Sequence, residues 1–270
     1  MATIRPQNLT SAPTAATGQS LRKWLQVPGV APSVLVALVL VIWEFSVRLL
    51  EVPAFLLPAP TAVAQAGFDN WSLLMKHSGV TITETVIGFL LSAIVGLAIA
   101  LVMVLWPIAG SAIFPLLVAS QVIPKVAVAP LLVVWIGTGV TTSTIIAFVM
   151  AFFPVVVNST LGLKAIDEGS LHLMQSMGAS KWQQFRLLRF PSAMPHILSG
   201  LQLAIAFAIV GAIVGEFVGS NAGLGYLLIV TQGNLQTELL FADLFILTAI
   251  GLILYYGVEI LGRFVLRRRQ

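Results

Sequence analysis

The chain has 270 residues, of which 58% are hydrophobic and only 9% are charged, and its mean hydropathy is +1.00. Soluble domains carry roughly 25% charged residues, so this sequence lacks the polar surface that a water-soluble fold of this size needs. The absence of cysteine excludes disulfides and thiolate metal sites, and His77, His172 and His196 lie far apart in no ligand spacing. The composition predicts an all-α integral membrane protein with no metal and no cofactor.

The amino-terminal residues 1–30 are rich in Thr, Ala, Ser and Pro, which predicts a disordered cytoplasmic tail. The first apolar run, Val34–Leu50, contains Glu44 and Arg48 and is followed by no small-residue cleavage site. A transmembrane helix therefore fits this run better than a signal peptide does. Residues 31–79 are predicted to comprise this first transmembrane helix and an outer interfacial segment.

Five further apolar runs follow along the chain. They are Val80–Leu105, Ser111–Ile136, Thr142–Leu161, Ile197–Val218 and Ala242–Leu261. Each is long enough to cross a hydrocarbon core of roughly 30 Å as a helix, and none shows the alternating pattern of a barrel strand. The sequence thus predicts about six transmembrane helices, with residues 80–266 forming the core transmembrane domain.

The distribution of basic residues predicts that both termini are cytoplasmic. With the amino terminus inside, eleven of the 14 Lys and Arg residues fall in cytoplasmic segments, and the outer segments and their borders hold only Arg48 and Lys76. This asymmetry is the one that the positive-inside rule describes. The net charge of +4 therefore needs no nucleic acid partner, because Arg267–Arg269 can anchor a helix end at anionic lipid headgroups.

Small residues recur every four positions in two of the runs. They are Gly88, Ser92, Gly96 and Ala100 in the second run, and Gly200, Ala204, Ala208 and Ala212 in the fifth. Small residues on one face let the backbones of two helices approach closely. Two interpretations remain open: helix packing within one chain, or a dimer interface that lines a shared pathway.

One long polar segment, residues 162–196, interrupts the apolar runs on the predicted cytoplasmic side. Apolar residues recur within it at about helical spacing, and Gly178 breaks the pattern. This favours a short helix, a glycine turn and a second short helix, with Pro191 and Pro195 separating this unit from the fifth span. The segment either lies on its own spans or docks into a cytoplasmic partner.

Ionisable residues inside apolar runs are costly and require an explanation, typically a partner. Glu44 and Arg48 are four residues apart, as are Glu259 and Arg263, which predicts a local ion pair on one helix face in each case.

Lys125 and Glu216 have no such partner in sequence. Lys125 lies between Pro124 and Pro130, where the helical hydrogen bonds are interrupted and the freed backbone groups must face protein or water. We hypothesise that Lys125 and Glu216 line or brace a transport pathway near one another. A purely structural role, holding the third and fifth spans in register, is the alternative.

Several segments, taken together and in order, resemble binding-protein-dependent ABC importer permeases, in the branch that handles nitrate, sulfonates, taurine and pyrimidine precursors. The similarity covers roughly residues 55–262. The segments that carry it are Ile123–Gly137, Phe152–Pro154 with Asn158, Gly178 followed by Pro191 and Ala193-Met194-Pro195, Gly215–Val218, and Gly223–Tyr226.

The resemblance implies the type I importer permease fold, with residues 162–196 as the coupling loop that fits a groove on an ATPase subunit. It implies as partners two ATPase copies, an extracytoplasmic substrate-binding protein and a second permease copy within the lipid bilayer. The ATPase-coupling residues that it implies are Glu168, His172, Met174, Gly178, Ala179, Ser180, Trp182, Phe185 and Pro191. The family usually has Glu-Ala-Ala where this chain has His172-Leu173-Met174, so Glu168, one turn earlier, is the nearest acidic substitute.

The glycine turn, Gly219–Tyr226, falls on the predicted outer side. It is either a plain turn between helices or, as the resemblance implies, a segment near the docking site of the substrate-delivery protein.

The sequence contains no phosphate-binding loop, so ATP hydrolysis is expected from a separate subunit and the chain itself is not expected to be an enzyme. An intramembrane enzyme is disfavoured because no catalytic constellation lies at one membrane depth. A secondary transporter driven by an ion gradient would be expected to show broken helices in both halves, and only the third run has one. Among the solutes of similar permeases, the sequence leans towards pyrimidine or flavin precursors.

Overall fold

The computed structural model describes residues 30–267, and side chains within residues 31–264. The helices are α1 (Val30–Leu49), α2 (Pro60–Asp69), α3 (Trp71–Leu105), α4 (Pro107–Val122), α5 (Lys125–Ile136), α6 (Val140–Lys164), α7 (Glu168–Ser176), α8 (Lys181–Gln184), α9 (Phe190–Gly219), α10 (Leu224–Gly233) and α11 (Thr237–Arg267), with a π-helical turn at Phe185–Arg189. No strand occurs in this part of the chain. The all-α prediction is confirmed.

The chain divides into two compact units after Thr61, and the predicted tail lies outside the described residues apart from Val30. In the first unit, Arg48 Nε donates to Glu44 Oε1 at 2.6 Å. The backbone N–H of Thr61 donates to the other oxygen of Glu44 at 3.0 Å. The predicted local ion pair is therefore present, as is the second one, between Glu259 and Arg263 in the second unit.

Among residues 30–267, five helices are long and apolar enough to cross a membrane, and a bent pair supplies a sixth crossing if it counts as one span. The bent pair is α4 and α5, whose axes differ in direction by 94°. The break falls at Ile123 and Pro124, because a residue that precedes proline is held out of the helical region, and Ile123 has a ψ of 122°. The interruption predicted for the third span is thus a sharp corner.

Helix α6 is the centre of the second unit and packs along both α3 and α9. The small residues of the two predicted stripes are all buried. A Cβ on Gly88 would lie 2.7 Å from Ala147 Cβ, and one on Gly200 would lie 2.8 Å from Asn158 Cβ, both on α6. The stripes therefore serve helix packing within the chain, which is the first of the two interpretations given above.

The prediction that Pro191 and Pro195 separate the polar segment from the fifth span is wrong. One continuous helical path runs from Lys181 to Gly219. The π-helical turn accommodates Pro191, since the N–H of Phe190 reaches back five residues to the carbonyl of Phe185.

Candidate functional site

The polar segment contains a tightly specified helix–turn–helix unit. Helix α7 ends in a Schellman motif, in which the N–H of Ala179 donates to Met174 O at 3.0 Å and that of Gly178 donates to Gln175 O at 2.9 Å. Gly178 adopts a φ of +75° with open space around its Cα. There is room for a side chain at Gly178, so glycine is favoured here only because residues with a Cβ rarely adopt a left-handed backbone conformation. The direction of the turn is therefore set by the local sequence.

Side-chain caps fix the amino-terminal ends of the two short helices. Asp167 Oδ2 accepts from the backbone N–H of Ser170 at 2.7 Å, and this hydrogen bond, together with one from the Ser170 hydroxyl, holds the pKa of the Asp167 carboxyl below its ordinary value. Ser180 forms a capping box with Gln183 at the start of α8. Local sequence alone therefore specifies both helix starts and the turn between them.

The helix–turn–helix unit exposes large apolar side chains that no span covers. Trp182 is 66% exposed, Met177 78% and Leu173 64%. Phe185 differs, because it packs against the buried cluster of α3, α6 and α9 while its ring stacks on Trp182 at 5.6 Å. Phe185 thus anchors the unit to the spans, and Trp182 faces outwards from it.

The implied coupling residues fall into two groups by exposure. Exposed are Glu168, His172, Gly178, Ser180 and Trp182; half-buried are Met174, Ala179, Phe185 and Pro191. Leu173, Met177 and Leu187 were not among the implied residues, although their side chains in the same segment are also exposed. The sequence could have identified them, because they are large apolar residues in an otherwise polar segment.

Lys125 lies at the corner between α4 and α5 and lines a cavity of about 190 Å³. Its Nζ is 4.2 Å from the ring centroid of Phe153 on α6, which is a cation–π contact. Asn158 and Gln121 also line this cavity. The cavity thus combines a cation, an aromatic face and two side-chain amides, while Pro124 and Pro130 beside Lys125 are exposed.

Glu216 lies elsewhere, buried beneath the glycine turn with 1% of its surface exposed. Thr81 Oγ1 donates to its Oε1 at 2.6 Å, and the N–H of Gly225 donates to its Oε2. Within the described residues, Glu216 and Lys125 share neither a hydrogen bond nor an ion pair. The structure therefore does not bring these two hypothesised pathway residues together.

Two buried carboxyl groups escaped the sequence reasoning. Glu84 on α3 and Asp243 on α11 are both 0% exposed, and both interact electrostatically with Glu216. Each is an acid within a predicted apolar run and has no Lys or Arg within four positions, so the criterion applied to Glu216 would have found them.

These features define a multi-pass membrane protein that presents an apolar helix–turn–helix between two of its spans. Residues 88–269 match the family model described as binding-protein-dependent transport system inner membrane component. The chain belongs to this family, and it is a permease subunit of an ABC importer located in the inner membrane. A secondary transporter finds no support in the comparisons.

Relatives of similar length support this assignment. A probable ABC transporter permease protein of Haemophilus influenzae is 37% identical, over 87% of this chain and 96% of its own. The formylaminopyrimidine transport permease protein ThiX of Halalkalibacterium halodurans is 35% identical, with coverages of 88% and 96%. The riboflavin transport system permease protein RibX of Chloroflexus aurantiacus is 35% identical, with coverages of 89% and 90%.

The fold is shared with a solved transporter. The inward-facing MetNI methionine ABC transporter matches with a TM-score of 0.57 at 18% identity, covering 74% of this chain and 97% of that one. This likeness shows the fold alone.

Proposed function

We propose that this permease imports a small heterocyclic solute of the pyrimidine- or flavin-precursor type, and that a separate ATPase drives it through the coupling loop, residues 162–196. The wider set of sulfonates, taurine and nitrate remains the alternative. The observation that carries the coupling role is the exposed apolar surface of Leu173, Met177 and Trp182 on a unit whose turn and helix starts are fixed by local hydrogen bonds.

A surface of this kind suits docking to a protein. Large apolar residues exposed next to one another mark interaction sites, and tryptophan is enriched among the residues that dominate binding energy. Phe185 ties the unit to the buried ends of α3, α6 and α9. A force applied to Trp182 by an ATPase would therefore reach the spans through the stacked pair of rings.

We propose that two copies of the chain form the pathway, with two ATPase subunits on the cytoplasmic side and a binding protein that delivers solute from outside near the glycine turn. Both termini are then cytoplasmic, as the basic residues predict. ATP binding would close the ATPase pair and favour one orientation of the helices over the other, since only differential contacts between two states can shift their populations.

The cavity around Lys125 is the proposed solute contact. Its cation, its aromatic face on Phe153 and the amides of Asn158 and Gln121 suit a planar heterocycle with polar edges. The relatives named for formylaminopyrimidine and riboflavin transport agree with this chemistry. Glu216 is assigned the bracing role, because hydrogen bonds to Thr81 and Gly225 occupy both of its oxygens.

Uptake and ATP hydrolysis by the importer, reconstituted with its ATPase and binding protein, test these roles. Trp182→Ala should weaken ATPase docking by about 2 kcal/mol, roughly 30-fold in affinity, and lower both activities. Trp71→Ala, which alters a tryptophan that is 54% exposed at the start of α3, is the matched control and should change neither.

Lys125→Ala should lower uptake of formylaminopyrimidine or riboflavin while ATPase docking stays intact. Normal uptake by Trp182→Ala would contradict the coupling role. Normal uptake by Lys125→Ala would remove the cavity from the pathway.

A further inference from the structure

Three carboxyl groups from three helices meet in the interior of the second unit. Glu84 on α3, Glu216 on α9 and Asp243 on α11 have exposures of 0%, 1% and 0%. Glu84 and Asp243 each lie within electrostatic range of Glu216. The cluster lies at the ends of α6 and α9 opposite to the coupling loop. Ser143, a neighbour of Glu84, lies in the first turn of α6, whereas the loop comprises the end of α6 and the residues that follow it.

Glu216 is the member of the cluster with a hydrogen-bond donor for each of its carboxyl oxygens. Its two oxygens accept from Thr81 Oγ1 and from the N–H of Gly225. Thr81 Oγ1 in turn accepts from the N–H of Leu224 at 2.9 Å. A carboxylate that accepts several hydrogen bonds is stabilised in its ionised form, and through these bonds Glu216 ties the glycine turn to α3.

Glu84 and Asp243 have no backbone N–H donor comparable to that of Gly225, although the Ser143 hydroxyl lies beside Glu84. None of their four carboxyl oxygens has a hydrogen bond of normal geometry, and the buried hydroxyls of Ser143 and Thr85 are also without a partner. An ionised carboxylate buried without donors carries a large desolvation penalty. Two more negative charges beside Glu216 would add repulsion in a medium that screens poorly.

The side chains in contact with the cluster are neutral, and Lys76 interacts electrostatically with His77 rather than with the three acids. From α3, His77 accepts the N–H of Gly223 on its Nδ1 at 3.0 Å, so this nitrogen carries no proton. From α10, Tyr226 stacks on His77, and α6 contributes the neutral Ser143. The ion pairs formed within the described residues are Glu44–Arg48 and Glu259–Arg263, neither of which involves the cluster.

We propose that this cluster is a proton-binding site, in which Glu84 and Asp243 are held as neutral carboxylic acids around the Glu216 carboxylate. A proton on Glu84 turns it into a donor that can reach Glu216, which replaces repulsion by a hydrogen bond. A metal ion is the other way to balance the charge, but the described residues hold no group of ligands suited to one.

A pH dependence of stability follows. Once the helices separate, the two carboxyl groups leave the buried cluster and are free to ionise, whereas the folded protein retains their protons. The native state then binds more protons than the unfolded state at neutral pH, so stability falls as pH rises. Ionisation of the two acids would repel Glu216 and loosen its hold on the glycine turn.

The test uses the full-length chain in lipid nanodiscs. The wild type is expected to show the infrared C=O band of buried carboxylic acids at neutral pH, and a melting temperature that falls towards alkaline pH. Glu84→Gln with Asp243→Asn keeps the shape of both acids without a proton to lose. This double variant should lack the band and lose most of the alkaline fall, whereas Glu259→Gln should leave both unchanged.

Absence of the acid band in the wild type at neutral pH would overturn the proposal, even if the double variant failed to fold. A cation site would also overturn it. In that case sodium, calcium or magnesium would raise the melting temperature of the wild type and leave that of the double variant unchanged. Neither measurement involves the ATPase or the solute, so the outcome does not depend on the roles proposed for them.

Discussion

At the residue scale, Gly223 is the position in the glycine turn with the least freedom to change. Its φ is +105°, and a Cβ built on it would lie 2.2 Å from the Glu216 carboxyl carbon. Two separate penalties therefore oppose any side chain: a left-handed backbone and a collision with a buried carboxyl group. The sequence alone suggested only a flexible turn, because the carboxylate that fills the space comes from another helix.

Gly223→Ala is expected to lower the free energy of unfolding by about 3 kcal/mol or more, since the buried Glu216 has no space into which to move. Gly233→Ala is the matched control, because Gly233 ends α10 with nothing within 4 Å of the added Cβ. Thermal unfolding of the two variants in nanodiscs would measure the difference. Equal melting temperatures would contradict the described packing of Glu216 under the turn.

At the element scale, α6 and α9 approach closely because glycine replaces larger residues along their contact. A Cβ on Gly211 would lie 2.6 Å from Ala147 Cα, and one on Gly215 would lie 2.5 Å from Ser143 Cα. The neighbour in both cases is backbone, which cannot move aside as a flexible side chain can. Close contact of this kind supplies the van der Waals energy that holds helices together where lipid removes the hydrophobic drive.

Gly211→Ala should therefore push α6 and α9 apart and lower stability by about 2 kcal/mol or more. Gly257→Ala on α11, where an added Cβ meets nothing within 4 Å, should be neutral or stabilising by up to roughly 1 kcal/mol, because alanine favours a helix over glycine. Thermal unfolding checks both variants. If Gly211→Ala were as stable as the control, the α6–α9 contact would be looser than the structure describes.

The broken third span belongs to the same scale. Helix α4 ends at Val122, two residues before Pro124, and the chain turns by 94° before α5 begins at Lys125. Proline chemistry predicts a break at this place but not its angle, because the angle depends on what α5 packs against. Here α5 contacts both α6 and α9, and this contact brings Lys125 over the Phe153 ring.

At the scale of the whole molecule, the orientation of the chain rests on the basic residues and can be measured directly, because the chain contains no cysteine. Met177, at the tip of the coupling loop, and Asn221, in the glycine turn, are both exposed and lie at opposite ends of the bundle. A cysteine introduced at either position is therefore the single cysteine of the chain, and its labelling reports the side of the membrane on which it lies.

In cells that express the chain without its ATPase, Asn221→Cys should react with an impermeant maleimide added outside, and Met177→Cys should react only after the membrane is opened. The physical reason is the positive-inside distribution of Lys and Arg. The labelled fraction of each variant is the measurement. The reverse pattern would place the coupling loop outside the cell and remove the ATPase from the proposed mechanism.

The sequence by itself determined the class of protein and the approximate position of its spans, because a stretch of about 20 apolar residues has few stable alternatives to a membrane helix. It also determined the turn at Gly178 and the local ion pairs, which depend on neighbours within one helical turn. Only the tertiary structure decided that the helix continues through Pro191. It also decided that Glu216 does not pair with Lys125, and that Glu84 and Asp243 lie beside Glu216 instead. These outcomes depend on contacts between helices that are distant in sequence. The free-energy cost of burying a charged group or a proline depends on which groups the folded chain places next to it.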